Sequence, residues 1–179
     1  MNKTSTQEQI KNIVLTALFA AMIYVLTAFL KIPTATGYIH IGDSMIYLAA
    51  AILPMPYAMA AGAVGAGLSD YLSGYMLWVL PTMIIKALTA MCFTRKSEKI
   101  VCIRNIIGII GALVLCVGGY YLAGGILENN FISPLAEMPT NAIQALASAF
   151  LFVVLGFALD KMSFKTKVLG YRPAEKSHA

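Results

Sequence analysis

The sequence predicts an all-α, polytopic membrane protein with six transmembrane helices and both termini in the cytoplasm, and three observations carry that prediction. The first is composition: the 179 residues are 59% hydrophobic and 12% charged, with a mean hydropathy of +0.77, whereas a soluble domain is roughly 25% charged. The second is that the apolar residues fall in runs, several of them near the ~20 residues that cross a bilayer as a helix. The third is that the basic residues form short clusters between those runs, which is how a chain is oriented in a membrane. Several spans leave no room for a separate soluble domain, so residues 1–179 read as a single membrane domain. The net charge of +5 then belongs to an anionic leaflet, not to nucleic acid.

Helix 1 covers residues 12–30, uncharged between Lys11 and Lys31. It is long for a signal peptide and lacks an A-x-A cleavage site, so it stays as the first span. A loop over 31–42 follows, broken by Pro33 and Gly37. Pro54 and Pro56 divide the next uncharged stretch into helix 2 (42–53) and helix 3 (56–73), with Pro56 suited to a first helical turn. Helix 2 is too short to cross upright, so protein must shield part of it or the preceding loop must extend it. Helix 4 covers 77–93, helix 5 105–127 and helix 6 140–159.

Charge decides that helices 2 and 3 are separate. With six spans, Lys3, Lys11, Arg95, Lys96, Lys99, Arg104, Lys161, Lys165, Lys167, Arg172 and Lys176 all face the cytoplasm and Lys31 alone lies outside. Fusing the two helices would move residues 95–104 and the C-terminal tail outside, against the positive-inside rule.

The same topology gathers polar groups on the outer face. Asp43, Asp70, Glu128 and Glu137 fall at or near outer helix ends, Asn129, Asn130, Asn141 and Gln144 lie near the start of helix 6, and Tyr71, Tyr75 and Trp78 lie near the start of helix 4. Apolar walls with a few placed polar groups make a small-molecule site; an interfacial aromatic belt uses the same residues. Both readings stand for Tyr38, Tyr75 and Trp78. Lys86 lies about 12 Å along helix 4 from Trp78 at ~1.5 Å per residue, where an ammonium needs a carboxylate, a carbonyl cluster or a ligand, unless its stem snorkels outward.

Helix 3 is built from small residues, with Ala58, Gly62 and Ala66, and Ala61, Gly65 and Ser69, at four-residue spacing for close backbone approach. Ala17 and Ala21 repeat that spacing on helix 1, which by spacing alone favours an intramolecular contact. Cys92, Cys102 and Cys116 match neither a metal-ligand pair nor C-x-x-C and read as apolar fillers. His40 and His178 are far apart, and no G-x-S-x-G, H-E-x-x-H or P-loop occurs. Neither an enzyme, a cofactor nor a metal is indicated, and any active uptake must draw energy from a partner or an ion.

Taken in order, the GYIHIGDS loop entering helix 2, the small-residue helix 3 ending in DYLSGY, and the PTMIIK start of helix 4 resemble the S components of energy-coupling factor (ECF) vitamin transporters over residues 10–161. The closest resemblance is to the riboflavin-type branch, which also covers relatives for hydroxymethylpyrimidine and pyridoxine. The resemblance implies capture of a small water-soluble vitamin or precursor at the outer face of a prokaryotic cell membrane, and docking on a T subunit driven by two ATPase subunits. It implies that Ala17 and Ala21 contact the T subunit, that the loop before helix 2 covers the ligand, and that helices 4 to 6 line it. With the polar residues above, the candidate binding set is Tyr38, His40, Asp43, Tyr75, Trp78, Lys86, Asn141 and Gln144. The alternatives are an intramembrane enzyme using Asp43, Asp70 or Lys86, and a purely structural membrane subunit.

Overall fold

The fold is that of a computed structural model, which describes residues 3–34, 38–167 and 169–170. Gly37, Arg172, Lys176 and His178 lie outside the described residues, as does the side chain of Lys3.

Helix α1 (Lys3–Ala28) begins in the polar N-terminal segment, well before the apolar run, because nothing there breaks a helix. A short antiparallel hairpin follows, β1 (Lys31–Pro33) with β2 (Tyr38–His40), paired Lys31 to His40, Ile32 to Ile39 and Pro33 to Tyr38. The sequence reads here only as a loop, since two three-residue strands carry too little alternation to announce themselves. Then come α2 (Asp43–Ile52), α3 (Met55–Leu72), a 3-10 turn over Met76–Trp78 and α4 (Val79–Met91). Helix α5 (Ile103–Leu127), a 3-10 turn over Ser133–Glu137, α6 (Met138–Lys161) and the short α7 (Phe164–Lys167) complete the described chain.

Among the described residues, three stretches are long and apolar enough to cross a membrane: Thr6–Ala28 in α1, α5, and Ser133–Lys161, which includes α6. Helix α2 and the stretch Met76–Met91 are apolar but shorter. Protein shields α2 on all sides: every one of its ten residues is buried, packed among α1, α3, α4 and α6. Leu53 turns to extended backbone ahead of Pro54, which ends α2, and Pro56 sits in the first turn of α3.

Helix α3 packs mainly against α1 and α4, and its small residues are what admit them. A Cβ on Gly65 would stand 2.6 Å from the Ala20 carbonyl oxygen and 2.8 Å from Ile23 Cβ, and one on Gly62 would stand 3.2 Å from the Lys86 carbonyl oxygen. Tyr47 of α2 stacks on Phe93 with centroids 4.6 Å apart, and Phe152 of α6 meets both rings edge-on. Beyond that cluster, at the end of the bundle away from the hairpin, Asp160 accepts hydrogen bonds from the Ile100 and Val101 amides at 2.7 and 2.9 Å. Asn105 ties down the same segment through Thr94 and Ile100. Ala17 and Ala21 are exposed, while Phe19 and Ile23 turn inward. Their spacing therefore does not serve an intramolecular contact.

Close approach at Gly65 makes a testable distinction among the glycines. Gly65→Ala forces α1 from α3 and lowers stability by about 1–3 kcal/mol, whereas Gly118→Ala, with nothing within 4 Å, is neutral or stabilising by up to about 1 kcal/mol. Thermal unfolding of both variants in detergent checks this, and equal melting shifts would refute it.

Candidate ligand-binding site

At the hairpin end of the bundle lies a cavity of about 320 Å³, at the small end of the roughly 300–1,000 Å³ usual for ligand sites. Tyr38 and His40 of β2 close one side, and Thr27 of α1, Ala66 and Asp70 of α3 and Tyr120 of α5 contribute to the wall. Trp78, Thr82 and Lys86 form one stripe, because steps of four residues keep side chains on one face of α4 and its entry, and Tyr75 joins them from just ahead of the 3-10 turn. Thr140, Asn141 and Gln144 reach in from α6 by the same periodicity, and Glu128 and Glu137 stand at the rim. The second 3-10 turn is seated by Gly124, where a Cβ would lie 2.9 Å from Pro134 and 3.4 Å from the Trp78 ring.

Lys86 is 1% exposed and so is Asp43, with the ammonium 2.8 Å from Oδ1 and donating a hydrogen bond of 2.8 Å to Oδ2. The Tyr120 ring lies 5.0 Å from the same nitrogen and Cys116 Sγ 3.9 Å away. Gln144 Nε2 approaches Asp43 Oδ2 at a long 3.5 Å. The lysine does not snorkel; it is committed to a partner inside the bundle.

A second chain of polar groups crosses the cavity wall. The Tyr38 hydroxyl donates to Asp70 Oδ1 at 3.0 Å, and the Tyr120 hydroxyl donates to Thr82 Oγ1 at 3.2 Å, with Thr82 and Asp70 both in the wall. Burial, reinforced by the Asp70 charge, pushes the Tyr38 phenol well above its usual range, so it remains a donor. Its ring packs 5.5 Å from that of Tyr75, and the Trp78 and Tyr120 rings lie 5.9 Å apart. Lys31 sits 5.1 Å over the outer side of the Tyr38 ring and reaches Ser73 Oγ at 3.3 Å.

His40 is neutral. Burial lowers its pKa to about 4, with Asp43 opposing and Lys86 adding to the shift. The neutral form fits its contact, since Nδ1 accepts the Gly42 amide hydrogen at 3.1 Å. Gly42 must be glycine for packing: a Cβ there would collide with Thr27 Oγ1.

Of the residues singled out in the sequence, Tyr38, His40, Tyr75, Trp78, Lys86, Asn141 and Gln144 line this one cavity. Asp43 does not; it stands behind Lys86 as its counter-ion. Sequence reasoning missed Thr27, Thr82, Thr140 and Tyr120 as wall residues. Thr82 had a signal, lying in register between Trp78 and Lys86, whereas Tyr120 had none that set it apart from its neighbour Tyr121 in α5. Among the described residues no three His, Cys, Asp or Glu side chains converge as a metal site.

Comparison with known proteins agrees with this architecture. The sequence model of a family described as ECF-type riboflavin transporter, S component, matches residues 7–161. A solved structure described as the S component of a bacterial ECF transporter superposes with a TM-score of 0.65, covering 86% of this chain and 98% of its own at 19% identity, a likeness that shows the fold. No curated protein matches the chain.

Two outcomes follow from the charges. Lys86→Met alone strands a buried carboxylate and Asp43→Asn alone strands a buried ammonium, each costing about 3–5 kcal/mol, whereas the double replacement recovers at least half of the summed loss; strictly additive losses in unfolding titrations would show that the pair is not coupled. His40 gives a pH signature. The unfolded chain takes up a proton near pH 6.5 that the folded one refuses until about pH 4, so stability is full above pH 6.5 and falls through that window by up to about 1.4 kcal/mol per pH unit. Thermal melts of wild type and His40→Gln across pH 4–7.5 should show that slope only in the former.

Proposed function

The chain belongs to the family of ECF-type riboflavin transporter S components, and from that premise we propose that it captures a small water-soluble vitamin or precursor, of the hydroxymethylpyrimidine, pyridoxine or riboflavin class, at the outer face of a prokaryotic cell membrane. In this reading α1 to α6 are six spans of a single membrane domain with both termini in the cytoplasm, and uptake is driven by a T subunit with two ATPase subunits. The observation that carries it is the cavity itself, whose aromatic rings and convergent amides, hydroxyls and carboxylates suit a flat, polar-edged ring. Membership makes the chain a transport subunit and not an enzyme. The candidate catalytic groups are otherwise engaged: Asp43 and Lys86 neutralise each other, and Asp70 holds Tyr38.

Ala17 and Ala21 supply the surface for the T subunit in this proposal. Both are exposed one turn apart on α1, leaving a shallow groove that a partner helix can enter. Thr27, which lines the cavity, lies about 15 Å along the same helix from Ala17 and about 9 Å from Ala21 at ~1.5 Å per residue. Groove and pocket are thus separable. Native mass spectrometry of the purified protein identifies the co-purified vitamin, and Ala17→Trp with Ala21→Trp should then leave its affinity within about threefold while abolishing uptake and recovery with the T subunit and ATPases. Loss of binding alongside intact assembly would sink the proposal.

A further inference from the structure

At the end of the bundle opposite the cavity, the chain between α4 and α5 is neither helix nor strand, yet side chains from three helices fix it. Asn105 of α5 is 0% exposed and uses its whole amide: Oδ1 accepts the Thr94 amide hydrogen at 2.7 Å, and Nδ2 donates to the Thr94 and Ile100 carbonyls at 3.1 and 2.9 Å. Asp160 of α6 accepts from the Ile100 and Val101 amides. Buried Lys165 of α7 donates to the carbonyls of Arg95, at 2.8 Å, and Ser97. With these backbone groups paired, the points from which the elbow's side chains leave are settled.

Three cations start next to those contacts. Arg95 follows Thr94, Lys99 precedes Ile100 and Arg104 precedes Asn105 itself, so one buried amide gathers all three on the same stretch of surface, where each is exposed. Arg104 is oriented further: its Nη1 donates to the Cys92 carbonyl just past α4 at 3.0 Å, which leaves most of the guanidinium N–H groups for another acceptor. Among the described residues Arg95, Lys99 and Arg104 form no ion pair. Glu98 is the sole acid of the elbow, and Asp160 is spent on backbone amides.

Beside the cluster the surface turns apolar. Ile103, Ile107, Ile110 and Val114 recur along α5 at steps of three and four and are all exposed, Ile103 by 81%, which makes a stripe that begins next to Arg104. Helix α5 packs against α4 and α6, so this surface is separate from that of Ala17 and Ala21 on α1.

We infer that the α4–α5 elbow binds one anionic phospholipid, with the phosphodiester on Arg95, Lys99 and Arg104 and an acyl chain along the α5 stripe. In the proposed topology the lipid belongs to the inner leaflet, and the inference is independent of what the cavity holds. Charge complementarity sets the headgroup class: a zwitterionic lipid brings its own cation to the phosphate, whereas phosphatidylglycerol brings none and leaves its oxygens to the guanidinium forks. The stripe sets the source, since a soluble phosphate has nothing to lay along it while a basic site between spanning helices suits a lipid headgroup.

The purified chain in neutral detergent is titrated with dioleoylphosphatidylglycerol or dioleoylphosphatidylcholine, and bound lipid is counted by native mass spectrometry. One phosphatidylglycerol is expected to bind at least tenfold more tightly than phosphatidylcholine. Arg95→Gln with Lys99→Gln, melting like wild type without lipid, should narrow that preference at least fivefold, and Arg104→Lys, which keeps the charge and loses the fork, at least twofold. Lys161→Gln with Lys167→Gln removes as much charge from exposed positions at the same end of the bundle and should leave the preference within twofold. An equal loss in that control overturns the inference by making the attraction a property of the whole face. An unchanged preference in the Arg95 and Lys99 variant, or none in wild type, overturns it as well. Displacement of the bound lipid by millimolar inorganic phosphate does so too, because the site then takes a soluble anion.

Discussion

An ammonium and a carboxylate buried together between α2 and α4 set the terms for everything near the cavity. Moving either ion alone from water into the bundle would cost several kcal/mol, and mutual attraction offsets that only when the geometry is close and the remaining lone pairs are served. The geometry is close, with Lys86 2.8 Å from each Asp43 oxygen and the Tyr120 ring and Cys116 sulfur filling the space around the nitrogen, while Asp43 Oδ1 has the ammonium's charge but no hydrogen bond of its own. Asp43 is also the first residue of α2, where the partial positive charge of the helix N-terminus favours a carboxylate. The pair therefore fixes the start of a helix that is buried along its whole length.

Burying α2 demands that the helices around it come close without filling the space themselves. Gly62 and Gly65 of α3 do this on two sides, admitting the backbone of α4 at Lys86 and that of α1 at Ala20. One consequence is that α1 has two distinct faces. Phe19, Ile23 and Thr27 are packed against the core, and Ala17 and Ala21 are left outside. The other is that Lys86 enters the wall with its charge neutralised by Asp43.

Much of this was legible in the sequence, and the illegible part has physical causes. Apolar runs and proline breaks located the helical segments, because burial and backbone geometry act locally; the start of α1 was misplaced since hydropathy says nothing about a polar helical extension. Spacing singled out Ala17 and Ala21 but favoured the wrong face, as periodicity groups residues without saying which side is inward. Lys86 was flagged by the expense of an ammonium among apolar residues, yet its partner lies 43 residues earlier on another helix, and no pattern in the chain announces that. Asp43 was accordingly placed in the pocket and not behind it. Tyr120 and Thr82 became visible only once α4 and α5 were side by side.

The aromatic residues at the cavity mouth also show why belt and pocket are not exclusive descriptions. Tyr75 is 41% exposed and still lines the cavity, which suits a ring with one apolar body and one polar edge at a membrane surface. What closes over the site is slight by comparison with the bundle. The two strands share three residue pairs, and a ribbon that short is not stable by itself. It is held against the bundle by Tyr38, through a hydrogen bond to Asp70 and a ring contact with Tyr75, by Lys31 on Ser73, and by the packing of β2 with its buried His40 against α6 and α1. Asp70 consequently serves two ends, anchoring the cover and presenting acceptor capacity to whatever lies beneath it.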